Sequence, residues 1–249
     1  MRSDQHTFRR VSSHRRYLSV ALQVLESITN GHYSAGDRLP SDRDLAEVTG
    51  VSRLTVREAL LALEFLGVVQ VRPGEGTYIT AHGGRSSVFD EIVGAEQVRV
   101  SPEEVLEARR TVEVGLIPLV VERATPADIQ RLRTVIDNSE ALVEQPGRLG
   151  DFVHLGLLFH TEIARCARNT HLTGISTALV DLDENPLWTL LNAWAMQSVE
   201  ARREQIREHH RLVDAIEAKD VTTAQQLARD HLTHLEQMVL PPSDPPSGE

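Results

Sequence analysis

At 249 residues, the chain is long enough for one or two domains with a real core, and neither its 41% hydrophobic nor its 25% charged content departs from soluble globular proteins. No apolar run reaches membrane-spanning length, "MRSDQHTFRR" lacks the apolar core of a signal peptide, and the lone Cys166 has no internal disulfide partner; together these predict a cytoplasmic protein with no membrane partner. The net charge of −10 is unevenly spread: residues 1–84 carry 10 Arg against 9 Asp+Glu, and the remainder carries 16 Lys+Arg against 27 Asp+Glu, so only the N-terminal part suits a polyanionic partner.

Taken in chain order, Leu18, Leu22, Leu25 and Ile28 recur at helical spacing, with Gly31 as a stop just past Asn30. Ser41 is the expected N-cap of a second helix, and Asp44, three residues on, completes an imperfect capping box. Thr49-Gly50-Val51 hinges that helix to a third, where Ser52 caps the start and Val56, Leu60 and Leu63 point inward. "VVQVRPGEGTYIT" then predicts two short strands joined at Pro73-Gly74-Glu75-Gly76. Helix, helix, turn, helix, hairpin is a winged helix-turn-helix, and "HGGRSS" (82–87) interrupts the pattern after it, placing this domain at residues 1–84. Opposite the inward stripe, the third helix should present Ser52, Arg53, Thr55 and Arg57 at the end that enters the major groove. Arginine can fork onto guanine or phosphate, and Ser and Thr hydroxyls can bond either. The competing arrangement is a solvated face, with the arginines paired to Glu58 or Asp42.

"GDRLPSDRDLAEVTGVSRLTVREALLALEFLGVVQVRPGEGTYI" closely resembles the DNA-binding domain of the GntR family of bacterial transcription regulators, over roughly residues 15 to 80. The resemblance implies DNA contacts from Arg43 before the first hairpin helix, from Ser52, Arg53 and Arg57 on the recognition helix, and from Gly74 at the tip of a wing that reaches the minor groove.

The rest of the chain, 85–240, is almost entirely helical by pattern, with segments near 86–96, 102–124, 126–144, 148–168, 171–195, 199–218 and 221–238, then a Pro-rich tail at 241–249 expected to be disordered. Pro118 should kink or end the helix it interrupts. Three histidines fall on apolar faces: His160 with Phe152, Gly156, Phe159 and Ile163; His210 with Ile206 and Val213; His231 with Ala224, Leu227 and Leu235. On the 102–124 helix, Arg109 and Glu113 lie on the stripe of Leu106, Leu116 and Val120, where charge is expensive unless paired. Each of these residues also fits a plain structural account: a core histidine with one hydrogen bond, or an i,i+4 ion pair. Together they describe a polar cavity inside an all-α bundle, a common site for metals and small ligands.

"EARRTVE", "LLFHTEIARCARN", "EHHRLVDAIEAKD" and "ARDHLTHL" resemble the FCD ligand-binding domain of the FadR subfamily, a bundle of six or seven helices, over roughly residues 100 to 238. The resemblance implies a cavity for small organic acids, with Arg109, Glu113 and Asn169 at the ligand and His160, His210 and His231 holding a divalent metal of the zinc or nickel class. The sequence departs from that pattern twice. Gly156 stands one turn before His160, where the family usually has Asp, and Arg168 replaces the usual Gly before Asn169.

These observations lead to the expectation of a homodimeric repressor, bound to an inverted-repeat DNA operator and released by a small carboxylate effector. A metal-dependent enzyme using the three histidines is the alternative, weakened because no inward Glu or Asp is clearly placed as a general base. A DNA binder without a ligand is disfavoured by the polar cavity.

Overall fold

The computed structural model describes residues 14–80, 102–145, 147–180 and 186–239. The helix expected over 86–96, the boundary near 82–87 and the tail at 241–249 lie outside the described residues.

The N-terminal part consists of α1 (His14–Thr29), α2 (Asp42–Thr49), α3 (Arg53–Phe65), β1 (Val69–Arg72) and β2 (Gly76–Ile79). Ser41 caps α2 by accepting the Asp44 N–H, while the Asp44 carboxylate accepts from the Ser41 backbone, so the capping box is complete. Gly50, at φ 69°, ends α2 in the left-handed conformation that turns the chain sharply into α3. Val56, Ala59, Leu60 and Leu63 are buried, and α3 packs against α1. The strands pair antiparallel with Val69 opposite Ile79 and Arg72 opposite Gly76. Glu64 ties α3 to this wing by accepting the Val71 N–H at 2.7 Å. At Gly76, with φ 121°, a Cβ would fall 2.7 Å from Arg38 Nε, so glycine is what lets the Arg38 guanidinium lie against the wing.

Seven helices follow among the described residues: α4 (Pro102–Arg123), α5 (Pro126–Glu140), α6 (Leu149–Cys166), α7 (Thr170–Val180), α8 (Pro186–Ala195), α9 (Val199–Glu217) and α10 (Val221–Val239). The single helix expected over 171–195 is therefore two. Nor does Pro118 end α4, which runs through it to Arg123. Proline has no N–H to offer the Val114 carbonyl one turn back. Gln225 of α10 supplies a donor instead, with Nε2 at 3.4 Å from that oxygen. The partner helix thus compensates for what the sequence breaks.

Within the bundle, α4 packs against α10, α5 against α6 and α9, and α9 against α10. At one end of the bundle, Arg123 after α4 donates to Ala167 O at 2.9 Å just past α6, and Lys219 after α9 donates to Val121 O at 2.6 Å. These ties place the C-terminal ends of α4, α6 and α9 together, so the three helices run in the same direction. Arg168 takes the left-handed conformation (φ 52°) that favours glycine, and its guanidinium donates to Asp128 at 2.6 Å.

Helix α1 is buried on more than the one stripe its leucines suggest. Leu18 and Leu25 are buried, but so are Val20, Ala21 and Val24, because α1 packs on α3 on one side and on α8 on another. Glu26 Oε1 accepts the Leu149 N–H at 3.1 Å, at the start of α6, where Arg148 provides no side-chain cap of its own.

Candidate functional site

Arg43, Ser52, Arg53 and Arg57 are all exposed on the helical hairpin, with Arg43 in the first turn of α2 rather than before it. Gly74, at φ 80°, sits in the exposed turn between the wing strands. Thr55 departs from expectation: it is buried, and its hydroxyl lies 2.9 Å from Ser52 Oγ, so it belongs to the N-cap of α3 and not to the exposed face. Thr55 lies only about 60° from its buried neighbour Ala59 at 100° per residue, and this draws it inward. Arg57 Nε donates to Asp42 at 2.9 Å, whereas the large apolar Leu54 stands 67% exposed beside Arg53.

In the bundle, α6, α9 and α10 bring together His160, His209 and His231, all buried, each offering a ring nitrogen within 4.8 Å of the others. The third histidine is therefore His209, not His210. The buried face of α9 is Arg202, Gln205, Ile206, His209, Leu212, Val213 and Ile216, which turns His210 toward a surface groove beside Glu140 and Arg203. Asn169 is also absent from the residues lining the histidine cavity; its Oδ1 accepts the Leu172 N–H at 3.2 Å, at the start of α7.

Two carboxylates fix the rings. His160 Nδ1 lies 2.8 Å from Glu113 Oε2, and His231 Nδ1 lies 2.7 Å from Glu208 Oε2. Burial alone would raise the Glu113 carboxyl, but the Arg109 guanidinium and His160 outweigh it and hold the group ionised; His231 and His234 do the same for Glu208. Ionised carboxylates only accept, so each Nδ1 carries the hydrogen and each Nε2 presents a lone pair. Those two Nε2 atoms face each other at 3.3 Å. Burial pushes the His160 pKa down to about 4, so near neutral pH its ring brings no proton of its own, and facing lone pairs require a proton or a cation between them. His209 is held neutral by burial and by the neighbouring His231 and His160, and its Nε2 has no hydrogen-bond partner among the described residues. This donor set, three neutral imidazoles with outer carboxylates on two of them, fits a divalent transition metal. Beside it is a cavity of about 10 Å³, lined by Glu113, His160, Ser176 and His231 among apolar neighbours, with room for about one water or ion.

Arg109 completes the site. It is fully buried, donates from Nε to Glu113 at 2.6 Å, and its guanidinium carbon lies 5.4 Å from the centre of the Trp188 ring. The ion pair thought of as an alternative to ligand binding is thus present, yet it uses only one edge of the fork, and Arg109 Nη1 has no partner. Glu113, shared between Arg109 and His160, orients a ligand rather than serving as one. Glu208 and Gln205, which complete the surroundings, carry no signal in the sequence except their place beside His209.

The comparisons with known proteins agree with this architecture. The gntR family of bacterial regulatory proteins matches residues 16–79, and the FCD domain matches residues 104–234. The Uxu operon transcriptional regulator of Escherichia coli (strain K12) is 30% identical over 234 residues, spanning 92% of this chain and 88% of that protein. The HTH-type transcriptional regulator LutR of Bacillus subtilis (strain 168) is 28% identical over 212 residues, spanning 85% and 95%. Among solved structures, Streptococcus agalactiae GntR superposes with a TM-score of 0.47 at 23% identity, covering 89% of this chain and 99% of that one. With an FCD match over half of the chain behind a complete GntR helix-turn-helix, the chain belongs to the GntR family, as a ligand-responsive, DNA-binding transcription regulator and not an enzyme.

Proposed function

We propose that the protein is a dimeric repressor whose bundle takes up a small carboxylic acid and, on doing so, lets go of an inverted-repeat operator. The observation that carries this reading is the pair of facing imidazole nitrogens beside an arginine with a free edge. His160, His209 and His231 would hold a divalent cation of the zinc or nickel class, which supplies a positive centre for one carboxylate oxygen. Arg109 Nη1 donates to the second oxygen, Trp188 walls the guanidinium in, and Glu113 keeps both Arg109 and His160 in place. Binding energy realised in only one arrangement of the bundle then shifts operator affinity.

The test is operator release titrated with short carboxylic acids, in the presence and absence of added zinc or nickel. Arg109→Ala should leave operator binding intact and remove the response to acid. Elemental analysis of untagged protein should find metal in the wild type and much less in a His160→Ala/His209→Ala variant. Release that is unchanged in Arg109→Ala would refute the acid reading, and metal content indifferent to the histidines would remove the cation from it.

A further inference from the structure

Arg109, Gly156 and Gln205 stand four residues before Glu113, His160 and His209. Four residues make about one helical turn, so each lies on the same face as its successor, one turn nearer the helix start. Because α4, α6 and α9 run in the same direction, these three residues form a second layer adjoining the histidines. Contacts support that alignment: Glu113 meets His160 at 2.8 Å, the His160 and His209 rings lie 5.6 Å apart, and a Cβ built on Gly156 would sit 3.5 Å from Gln205 Nε2 and 3.6 Å from its Oε1. The bare Gly156 backbone is what leaves room for the Gln205 carboxamide.

That carboxamide is unusual in its surroundings. Gln205 is only 7% exposed, and among the described residues its amide makes no hydrogen bond. Arg109, in the same layer, is fully buried with Nη1 unpartnered. A dry layer with unmet polar atoms is expensive unless something fills them. The inventory of what is unmet describes the occupant: Arg109 Nη1 and Gln205 Nε2 are donors, and Gln205 Oε1 is an acceptor. A plain carboxylate satisfies the donors and leaves Oε1 orphaned, whereas a carboxylate with a hydroxyl on the next carbon satisfies both kinds.

We propose that Gln205, over Gly156, selects hydroxylated carboxylic acids: Arg109 takes the carboxylate and Gln205 Oε1 accepts the hydroxyl hydrogen. This deepens the acid-effector reading above and rests on it. A site built to bond a hydroxyl rejects the analogue lacking it, because its own acceptor is then left unpaired.

The experiment measures dissociation constants by calorimetry for matched acids, lactate against propionate and malate against succinate. It uses wild type, Gln205→Met, which keeps the side chain's length and removes both amide atoms, and Gln205→Leu in case the first fails to fold. Wild type should prefer the hydroxy acid of each pair by about tenfold. The variants should lose that preference by weakening the hydroxy acid alone, while Arg109→Ala weakens all four. If wild type binds the acids without preference, or the variants keep the preference or weaken both members equally, the role of Gln205 is overturned and the acid-effector reading stands. If wild type binds none of the four, that reading falls and this inference with it.

Discussion

Glu113 serves two cationic or proton-donating partners at once, and this couples the acid chemistry of the site to the stability of the fold. His160 has a folded pKa of about 4, below its unfolded value of 6.5, because burial disfavours the imidazolium and outweighs the Glu113 carboxylate beside it. Arg109 and His231 add to that depression. Between those two values the unfolded chain binds the extra proton and the folded chain does not. Stability is therefore fully present above pH 6.5 and is lost as pH falls toward 4, by up to about 3 kcal/mol for this residue in the metal-free protein. His209 is shifted the same way, and Glu113, with its pKa also depressed, loses stability over the range below its unfolded value of 4.5. Melting temperature of chelator-treated protein should fall between pH 7 and 4, and His160→Gln should flatten that fall. A parallel slope in wild type and variant would show that His160 is not the titrating group.

At the scale of elements, α1 is the shared member between the DNA-binding part and the bundle. It packs on α3, which carries Arg53, and on α8, which carries Trp188; its Glu26 accepts the first N–H of α6, which carries His160. Removing that acceptor leaves an uncapped helix start, a loss of about 1 kcal/mol. Glu26→Ala should lower the thermal stability of the protein and also shrink the ratio of operator affinities with and without effector, while Glu26→Gln, which keeps an oxygen acceptor, retains more of both. Unchanged coupling in Glu26→Ala would show that the cap is structural only. The caps and turns of the helix-turn-helix were legible in the sequence because their signals are local: Ser41 with Asp44, Gly50, Ser52. The site was legible only to its face. Ile206 and Val213 flank His209 and His210 almost equally, and the phase is settled by Leu212 and Ile216, which stand three and seven residues after His209 but two and six after His210. Asn169 follows a similar logic, since a helix cap and a ligand contact ask for the same side chain. The unbroken α4 and the second buried side of α1 had no local signal at all, because Gln225, more than a hundred residues on, and α8 create them.

For the whole molecule, the charge asymmetry decides where DNA can lie. Residues 1–84 are nearly neutral overall with arginines gathered on one face, and the acidic remainder repels phosphate. Within that face the arginines are not equivalent. Arg57 is oriented by Asp42 at 2.9 Å, with the two side chains 63% and 29% exposed, and a carboxylate so placed suits holding a guanidinium against the phosphate backbone more than freeing it for a base edge. Arg53, at the first turn of α3 beside the exposed Leu54, has the position for base readout. Arg53→Ala should therefore lose about 1–3 kcal/mol on the operator and relax discrimination at one symmetric pair of base positions. Arg57→Ala should weaken operator and unrelated DNA alike and reduce the slope of log affinity against log salt by roughly 1 for each subunit's lost phosphate contact. Because a two-fold dimer presents both recognition helices, the effects should appear in both half-sites of an inverted repeat. Binding curves for both variants, on operator and on scrambled DNA at three or more salt concentrations, separate these roles. If Arg57→Ala changed sequence preference and Arg53→Ala changed only the salt slope, the assignments would be reversed; if neither affected operator binding, this face of α3 would not be the one that meets DNA.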